Sequence, residues 1–221
     1  MRMRAKTKNV LIITGGRTEK ALLTKLMKEE GYTMIIAADH GLQAIDELGI
    51  VPDYIVGDFD SVPEELLAKY RDAAIPIDTF PREKDKTDTQ IAIELALHNN
   101  ATSITLIGAT GSRLDHTLAN VHLLLLPLQS GIDAWMIDSN NKLYLKQNNF
   151  QIDRRKQYGD YVSLLPFSGQ VSDLTLKGFK YPLDGILLKA GSSLGISNEI
   201  QEEIAGVEFR EGILLVIEAK D

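Results

Sequence analysis

Apolar residues fall in short blocks along the first 140 or so positions, and glycine or charged residues separate the blocks. Val10-Leu11-Ile12-Ile13, Met34 to Ala37, Tyr54-Ile55-Val56, Ile75 to Phe80, Ser103 to Ile107 and Ala134 to Ile137 each read as a buried strand. A continuous apolar run of about four to eight residues, rich in β-branched side chains, has that signature. Between the strands the apolar period lengthens to that of a helix. Leu22, Leu26 and Met27 share one face before Gly31 stops the pattern, and Leu42, Ile45 and Leu48 mark a second helix starting at Gly41. Pro63 suits the first turn of a third, carrying Leu66, Leu67 and Tyr70. Thr87-Asp88-Thr89-Gln90 is a capping box, with Thr87 as cap and Gln90 reaching back, ahead of Ile91 and Leu95. Asp115 is placed to cap a fifth helix with Leu118, Val121, Leu125 and Leu128 as its stripe, until Pro127 and Gly131 disrupt it.

From about residue 142 the helical period disappears. Tyr161 to Leu165, Asp173 to Lys177, Gly185 to Lys189 and Ile213 to Ile217 are β-type runs with Gly or Pro between them. Glu211-Gly212 is expected to turn a terminal hairpin. Alternating strands and helices followed by strands alone predict an α/β fold. We expect an open, mainly parallel sheet domain over residues 1–140 and a small C-terminal β-sandwich over 141–221, divided within Asp138-Ser139-Asn140-Asn141.

Composition narrows the function. At 221 residues with 44% hydrophobic and 25% charged, the chain is an ordinary globular protein. A formal net charge of -7 argues against general binding to nucleic acid or to anionic membrane. There is no cysteine, which excludes disulfides, thiolate catalysis and cysteine-based zinc sites. No apolar run reaches membrane-spanning length and no cationic leader precedes a cleavage pattern, so a cytoplasmic location is expected.

The candidate chemistry gathers where predicted strands end. Gly57-Asp58-Phe59-Asp60-Ser61 follows the third strand. If the backbone stays extended for one more step, the two carboxylates point the same way, about 6–7 Å apart. That arrangement suits one shared hydrated Mg²⁺ or two ions; a turn is the alternative, since Asp and Ser favour turns and Gly57 helps the chain to bend. Asp39, Asp85 with Asp88 (Asp85 within the charged loop Arg82-Glu83-Lys84-Asp85-Lys86), and Arg113 with Asp115 likewise follow strands. In a parallel sheet these loops share the edge where such folds bind ligands. Two carboxylates 4 Å apart repel by roughly 4 kcal/mol at an effective dielectric of 20, so crowding of this kind calls for cations. Arg113 adds a planar fork suited to phosphate oxygens. Asp88 also has a structural reason for its place, since the first turn of a helix favours negative charge. Gly15-Gly16 matches neither the P-loop nor the dinucleotide fingerprint and reads as a tight strand-to-helix turn. The residues point to a magnesium–polyphosphate site without a P-loop. They also leave open a two-metal phosphohydrolase and a regulatory module that binds a nucleotide without chemistry.

Four stretches taken together carry a resemblance. Ala38-Asp39-His40-Gly41, Gly57 to Ser61, Asp85-Lys86-Thr87-Asp88 and Arg113 to Asn120 resemble the successive motifs of the thiamine pyrophosphokinases, and Gly195-Ile196-Ser197-Asn198-Glu199 resembles that family's C-terminal motif. The resemblance implies an α/β catalytic domain, a β-sandwich, and a homodimer with thiamine bound near the subunit interface. It implies transfer of pyrophosphate from ATP to the thiamine hydroxyl with Mg²⁺ and release of AMP. Carried over, Asp58, Asp60, Asp85, Asp88 and Arg113 are expected to be catalytic, with Asp58, Asp60 and Asp85 at the metal, and Asp39, Thr87, Arg113 and Asp115 are expected on the nucleotide side. Ser197, Asn198 and Tyr181 are expected near thiamine, Tyr181 standing where some relatives have Trp. Two departures stand out: His40 replaces a second Gly found in many members, and Thr110-Gly111-Ser112-Arg113 replaces the commoner Gly-Gly-Arg.

Overall fold

The first half of the chain alternates strand and helix because its apolar runs alternate in period. The structure, a computed structural model, describes residues 7–60, 62–79 and 85–221. Ser61, Phe80 and the Arg82-Glu83-Lys84 part of the charged loop lie outside the described residues. The chain divides into two units, Met1–Ser139 and Asn140–Asp221.

The first unit runs β1 (Asn9–Ile13), α1 (Lys20–Glu29), β2 (Met34–Ala38), α2 (Gly41–Asp46), β3 (Tyr54–Gly57), α3 (Glu64–Asp72), β4 (Ile77–Thr79), α4 (Asp88–His98), β5 (Ser103–Ile107), α5 (Leu114–Leu123), α6 (Leu125–Gln129) and β6 (Asp133–Ile137). Its strands lie in the order β4-β3-β2-β1-β5-β6, every pair parallel. Val10, Leu11, Ile12, Ile36, Ile55, Ile104 and Leu106 are fully buried at its centre. Covered on both faces, these strands need no polar alternation, which is why they read as solid apolar blocks.

Several local expectations shift. In α1 the buried pair is Leu23 and Leu26, while Leu22 and Met27 are half-buried. Thr87 caps α4 as expected, accepting from the Gln90 N–H at 3.2 Å, but the Gln90 side chain donates forward to Glu94 at 3.0 Å instead of reaching back. Asp115 is not the cap of α5: Arg113 holds that position, and Asp115 sits in the first turn. The stripe assigned to α5 is also rotated. Asn120, Val121 and Leu124 are buried, and Leu118 is 61% exposed.

The chain after β3 does not stay extended. Phe59 adopts φ 58° and is buried, and the Asp60 N–H donates to Asp58 Oδ1 at 3.2 Å. A left-handed residue costs about 1–2 kcal/mol, whereas burying a Phe side chain contributes about 1.5–3 kcal/mol. Burial of the ring wins, and the Asp pair becomes an Asx-type turn.

The second unit contains β7 (Asn141–Lys146), β8 (Phe150–Asp153), β9 (Tyr161–Pro166), β10 (Gln170–Lys177), β11 (Leu183–Lys189), β12 (Ile204–Glu208) and β13 (Leu214–Ala219). They form antiparallel ladders in the orders β7-β13-β9 and β11-β10-β12-β8. Alternate residues are buried, as in the sandwich architecture: Val162 and Leu164 of β9, Leu214 and Val216 of β13, Leu174 and Leu176 of β10. The expected terminal hairpin at Glu211-Gly212 is absent, because β12 and β13 belong to different sheets. Here the chain changes sheet against the start of β10: a Cβ on Gly212 (φ 114°) would lie 2.5 Å from the Gln170 carbonyl oxygen. Ser172 ties the approach to this passage, its N–H donating to the Glu211 carbonyl and its carbonyl accepting from the Arg210 N–H.

Candidate active site

Strand order reverses between β1 and β5. To one side the chain proceeds β2, β3, β4; to the other it proceeds β5, β6. Loops leaving the carboxyl ends of β1 and β5 therefore part in opposite directions, and a crevice opens between them, the usual ligand position in open α/β sheets. A cleft of about 390 Å³ lies there. Gly15, Gly16, Asp39, His40, Thr87, Asp88, Ser112, Arg113 and Asn120 contribute to its wall.

The loops are drawn together by direct backbone bonds. Thr14 N–H donates to the Ile107 carbonyl at 2.9 Å and Gly16 N–H to the Gly108 carbonyl at 2.8 Å. A Cβ on Gly16 would fall 2.1 Å from the Gly108 oxygen, so only glycine permits the approach. Gly15-Gly16, read from sequence as a simple turn, is thus part of the cleft wall. The signal was a glycine pair directly after a buried strand, but its spacing fits no fingerprint. Asn120, within the Arg113–Asn120 stretch, was also missed as a structural part of this wall. It is buried and donates through Nδ2 to the Ala109 carbonyl at 2.8 Å, bracing the loop between β5 and α5.

Asp39 stands at the end of β2 in the left-handed region (φ 49°), held by its N–H on the Val56 carbonyl at 2.9 Å. A non-glycine residue there costs about 1–2 kcal/mol, least for Asp and Asn, whose short polar side chains bond locally. One carboxylate oxygen lies 2.8 Å from His40 Nδ1; the other, Oδ1, is buried with no hydrogen-bond partner among the described residues. Thr87 and Asp88 bring the positive end of α4 to the cleft, and Arg113 brings that of α5. Arg113 forks onto Asp115, Nε to Oδ1 at 3.2 Å and Nη2 to Oδ2 at 2.5 Å. The hydrogen bond from Arg113 is the main reason the Asp115 carboxyl is held down to about 2, and Arg113 is correspondingly raised.

The structure thus gathers Asp39, Thr87, Asp88 and Arg113 around one cleft. Asp58, Asp60 and Asp85 are outside that wall; Asp85 borders a separate hollow with Asp78, Lys86 and Glu94. Among the described residues, no three acidic or histidine side chains converge closely enough to hold a metal ion. The donor chemistry nevertheless suits a hard cation, since these are oxygen ligands. The unpartnered Asp39 Oδ1 sits where β2 meets the end of β3, beside the strand that leads into Asp58.

In the second unit, Tyr181, Ser197 and Asn198 come together although the first two are 16 positions apart in sequence. The run ending at Asn198 lies along β9: Asn198 and Val162 exchange backbone bonds of 2.7 and 3.0 Å, and Ser197 N–H donates to Ser163 Oγ at 3.0 Å. Ser197 takes φ 55°, Tyr181 is 58% exposed, and the Asn198 side chain is buried, bonded to backbone groups of Tyr181 and Glu199.

Comparison with known proteins identifies the family. Residues 24–136 match the family model described as thiamin pyrophosphokinase, catalytic domain, and residues 147–214 match its vitamin B1 binding domain. Thiamine pyrophosphokinase of Bacillus subtilis is 34% identical over 218 residues, covering 97% of this chain and all of the relative. The crystal structure of the Bacillus subtilis enzyme superposes with a TM-score of 0.86 at 32% identity, covering 97% of this chain and 100% of that one. Thiamin pyrophosphokinase from Geobacillus thermodenitrificans does so with a TM-score of 0.81 at 36% identity, covering 96% and 98%. With both domain models matched in order and a relative alike over its whole length, the chain belongs to the thiamine pyrophosphokinase family.

Proposed function

We propose that the protein transfers pyrophosphate from ATP to the hydroxyl of thiamine, giving thiamine diphosphate and AMP, with the nucleotide in the switch-point cleft of the first unit. The observation that carries this reading is the cleft itself. It is walled by a glycine turn, by two helix N-termini and by Arg113, in a chain alike over its length to thiamine pyrophosphokinases. Anionic phosphates are favoured at helix N-termini, where free N–H groups and the dipole face outward.

In this reading the hydroxyl oxygen of thiamine attacks the β-phosphorus, the bond from that phosphorus to the α–β bridging oxygen breaks, and AMP departs. The hydroxyl proton passes to a carboxylate of the acidic edge. Asp58, Asp60 and Asp85 would hold Mg²⁺, which neutralises charge on the phosphate oxygens when bound. Asp39, Thr87, Asp88, Arg113 and Asp115 serve the nucleotide; Asp115 holds Arg113 through Nε and Nη2, and the guanidinium offers its remaining N–H donors and its charge to phosphate oxygens. Tyr181, Ser197 and Asn198 serve thiamine, in the region matched by the vitamin B1 binding model. Thiamine is a cation, and a chain of net charge -7 favours its approach. A homodimer with thiamine near the subunit interface, in the cytoplasm, completes the proposal. Among the described residues, no helix is long and apolar enough to cross a membrane.

Incubation with ATP, Mg²⁺ and thiamine should yield AMP and thiamine diphosphate in equal amounts. ADP with thiamine monophosphate, or phosphate release independent of thiamine, would overturn the assignment.

A further inference from the structure

In the second unit, one buried amide organises the surroundings of an exposed aromatic ring. Asn198 is only 6% exposed, between the exposed Ser197 and the half-buried Glu199. Its Nδ2 donates to the Tyr181 carbonyl at 2.8 Å, while its Oδ1 accepts from the Tyr181 N–H at 3.0 Å and from the Glu199 N–H at 2.9 Å. A single side chain thus bonds both backbone groups of Tyr181, 17 residues away in sequence. Asn198 is itself anchored by its backbone exchange with Val162 of β9. The neighbouring bond from Lys180 N–H to the Glu199 carbonyl, at 2.9 Å, continues the seam.

The ring that this seam holds is 58% exposed. The Lys180 ammonium lies 5.6 Å from its centroid and is itself held by Glu199 at 2.6 Å. A cation within about 6 Å of an aromatic face is attracted by the ring's quadrupole. One face of Tyr181 is therefore already used in this way.

We propose that Asn198 is a positioning residue: it contacts no substrate, but fixes the Tyr181 backbone so that the ring face opposite Lys180 packs on the cationic acceptor. This rests on the reading of thiamine as acceptor and Tyr181 as its aromatic contact. The chemistry requires an amide. Ala loses both the Nδ2 donor and the Oδ1 acceptor, and Asp keeps the Oδ1 acceptor but sets a carboxylate oxygen against the Tyr181 carbonyl. Rigid placement of a contact surface raises affinity by lowering the ordering cost on binding, so losing it weakens acceptor binding without altering the chemical step.

The test is a double-mutant cycle on the full-length protein with Asn198→Ala, Tyr181→Ala and the pair together, reading KM and kcat for thiamine and for ATP, with thermal melting. Each single variant should raise KM for thiamine about tenfold, the order expected from a cation–π contact of intermediate burial. KM for ATP and kcat should stay within about twofold, and the double variant should be no worse than Tyr181→Ala alone. Multiplied defects in the double variant, about a hundredfold, would show that Asn198 binds thiamine independently and would overturn the proposal. So would an equal rise in KM for both substrates. If Asn198→Ala does not fold, Asn198→Asp, which keeps the Oδ1 acceptor but turns the donor to Tyr181 into a charged oxygen that repels its carbonyl, takes its place in the same cycle with the same expected readings. Failure of the acceptor assignment would be seen separately, as wild-type turnover that does not depend on thiamine.

Discussion

Asp58 shows how much a single carboxylate is asked to do at the edge of the sheet. Its Oδ1 accepts the Asp60 N–H and so closes the turn that buries Phe59, while its charge is what a cation site would use. These two tasks can be separated. Asp58→Asn retains an Oδ1 acceptor of the same shape and loses the charge, so the melting temperature should stay within a few degrees while turnover falls at least about a hundredfold across Mg²⁺ concentrations. Asp58→Ala should lose the turn bond as well, costing a further ~1 kcal/mol of stability. Wild-type turnover from the Asn variant would remove the metal assignment. The Arg113–Asp115 fork gives the corresponding pH argument. Because the Asp115 pKa is lowered to about 2 from 3.8, the pair's contribution is complete above the ordinary carboxylate range and is lost only as pH falls through about 2. Acid loss of activity nearer pH 5 or 6 must therefore come from other groups. The acidic and basic types after each strand were legible in the sequence. The left-handed turn at Phe59 was not, because it follows from what the ring packs into.

At the scale of elements, the cleft depends on the contact between the loops after β1 and β5. Gly16→Ala places a methyl group 2.1 Å from one backbone oxygen and 2.5 Å from another, that of Thr110, with no flexible side chain to move aside. We expect a loss of about 1–3 kcal/mol in stability from this forced separation, together with a raised KM for ATP. Gly15→Ala meets only His40 Cβ at 3.3 Å as its nearest neighbour and should be much milder. Denaturant melts and ATP kinetics on the two variants make the comparison, and equal behaviour would show that the loop contact does not shape the site. Helix positions were readable from their period, and the Thr87 cap from its local motif. The face of α5 was harder, because its buried side includes Asn120, a polar residue whose amide is satisfied by the Ala109 carbonyl. An apolar stripe alone therefore pointed to Leu118, which is exposed.

On the scale of the whole molecule, the two proposed substrates draw on different units, so their kinetics should separate. Arg113→Ala should raise KM for ATP about tenfold or more, the loss of one charge-assisted contact of about 1.5–3 kcal/mol, and leave KM for thiamine within about twofold. Ser197→Ala should do the reverse. Parallel effects of both variants on both substrates would argue for a general folding defect, which thermal melting would reveal. The sequence by itself determined the alternation of strand and helix, the all-β character of the second half, and the acidic residues that follow the strands. These are local properties, written in period and residue type. Only the tertiary structure decided that Gly15-Gly16 walls a cleft, that Asp58 and Asp60 form a turn instead of an extended pair, and that β12 and β13 part into different sheets. Strand order across a sheet and contacts between residues far apart in the chain arise from packing, and no local period records them.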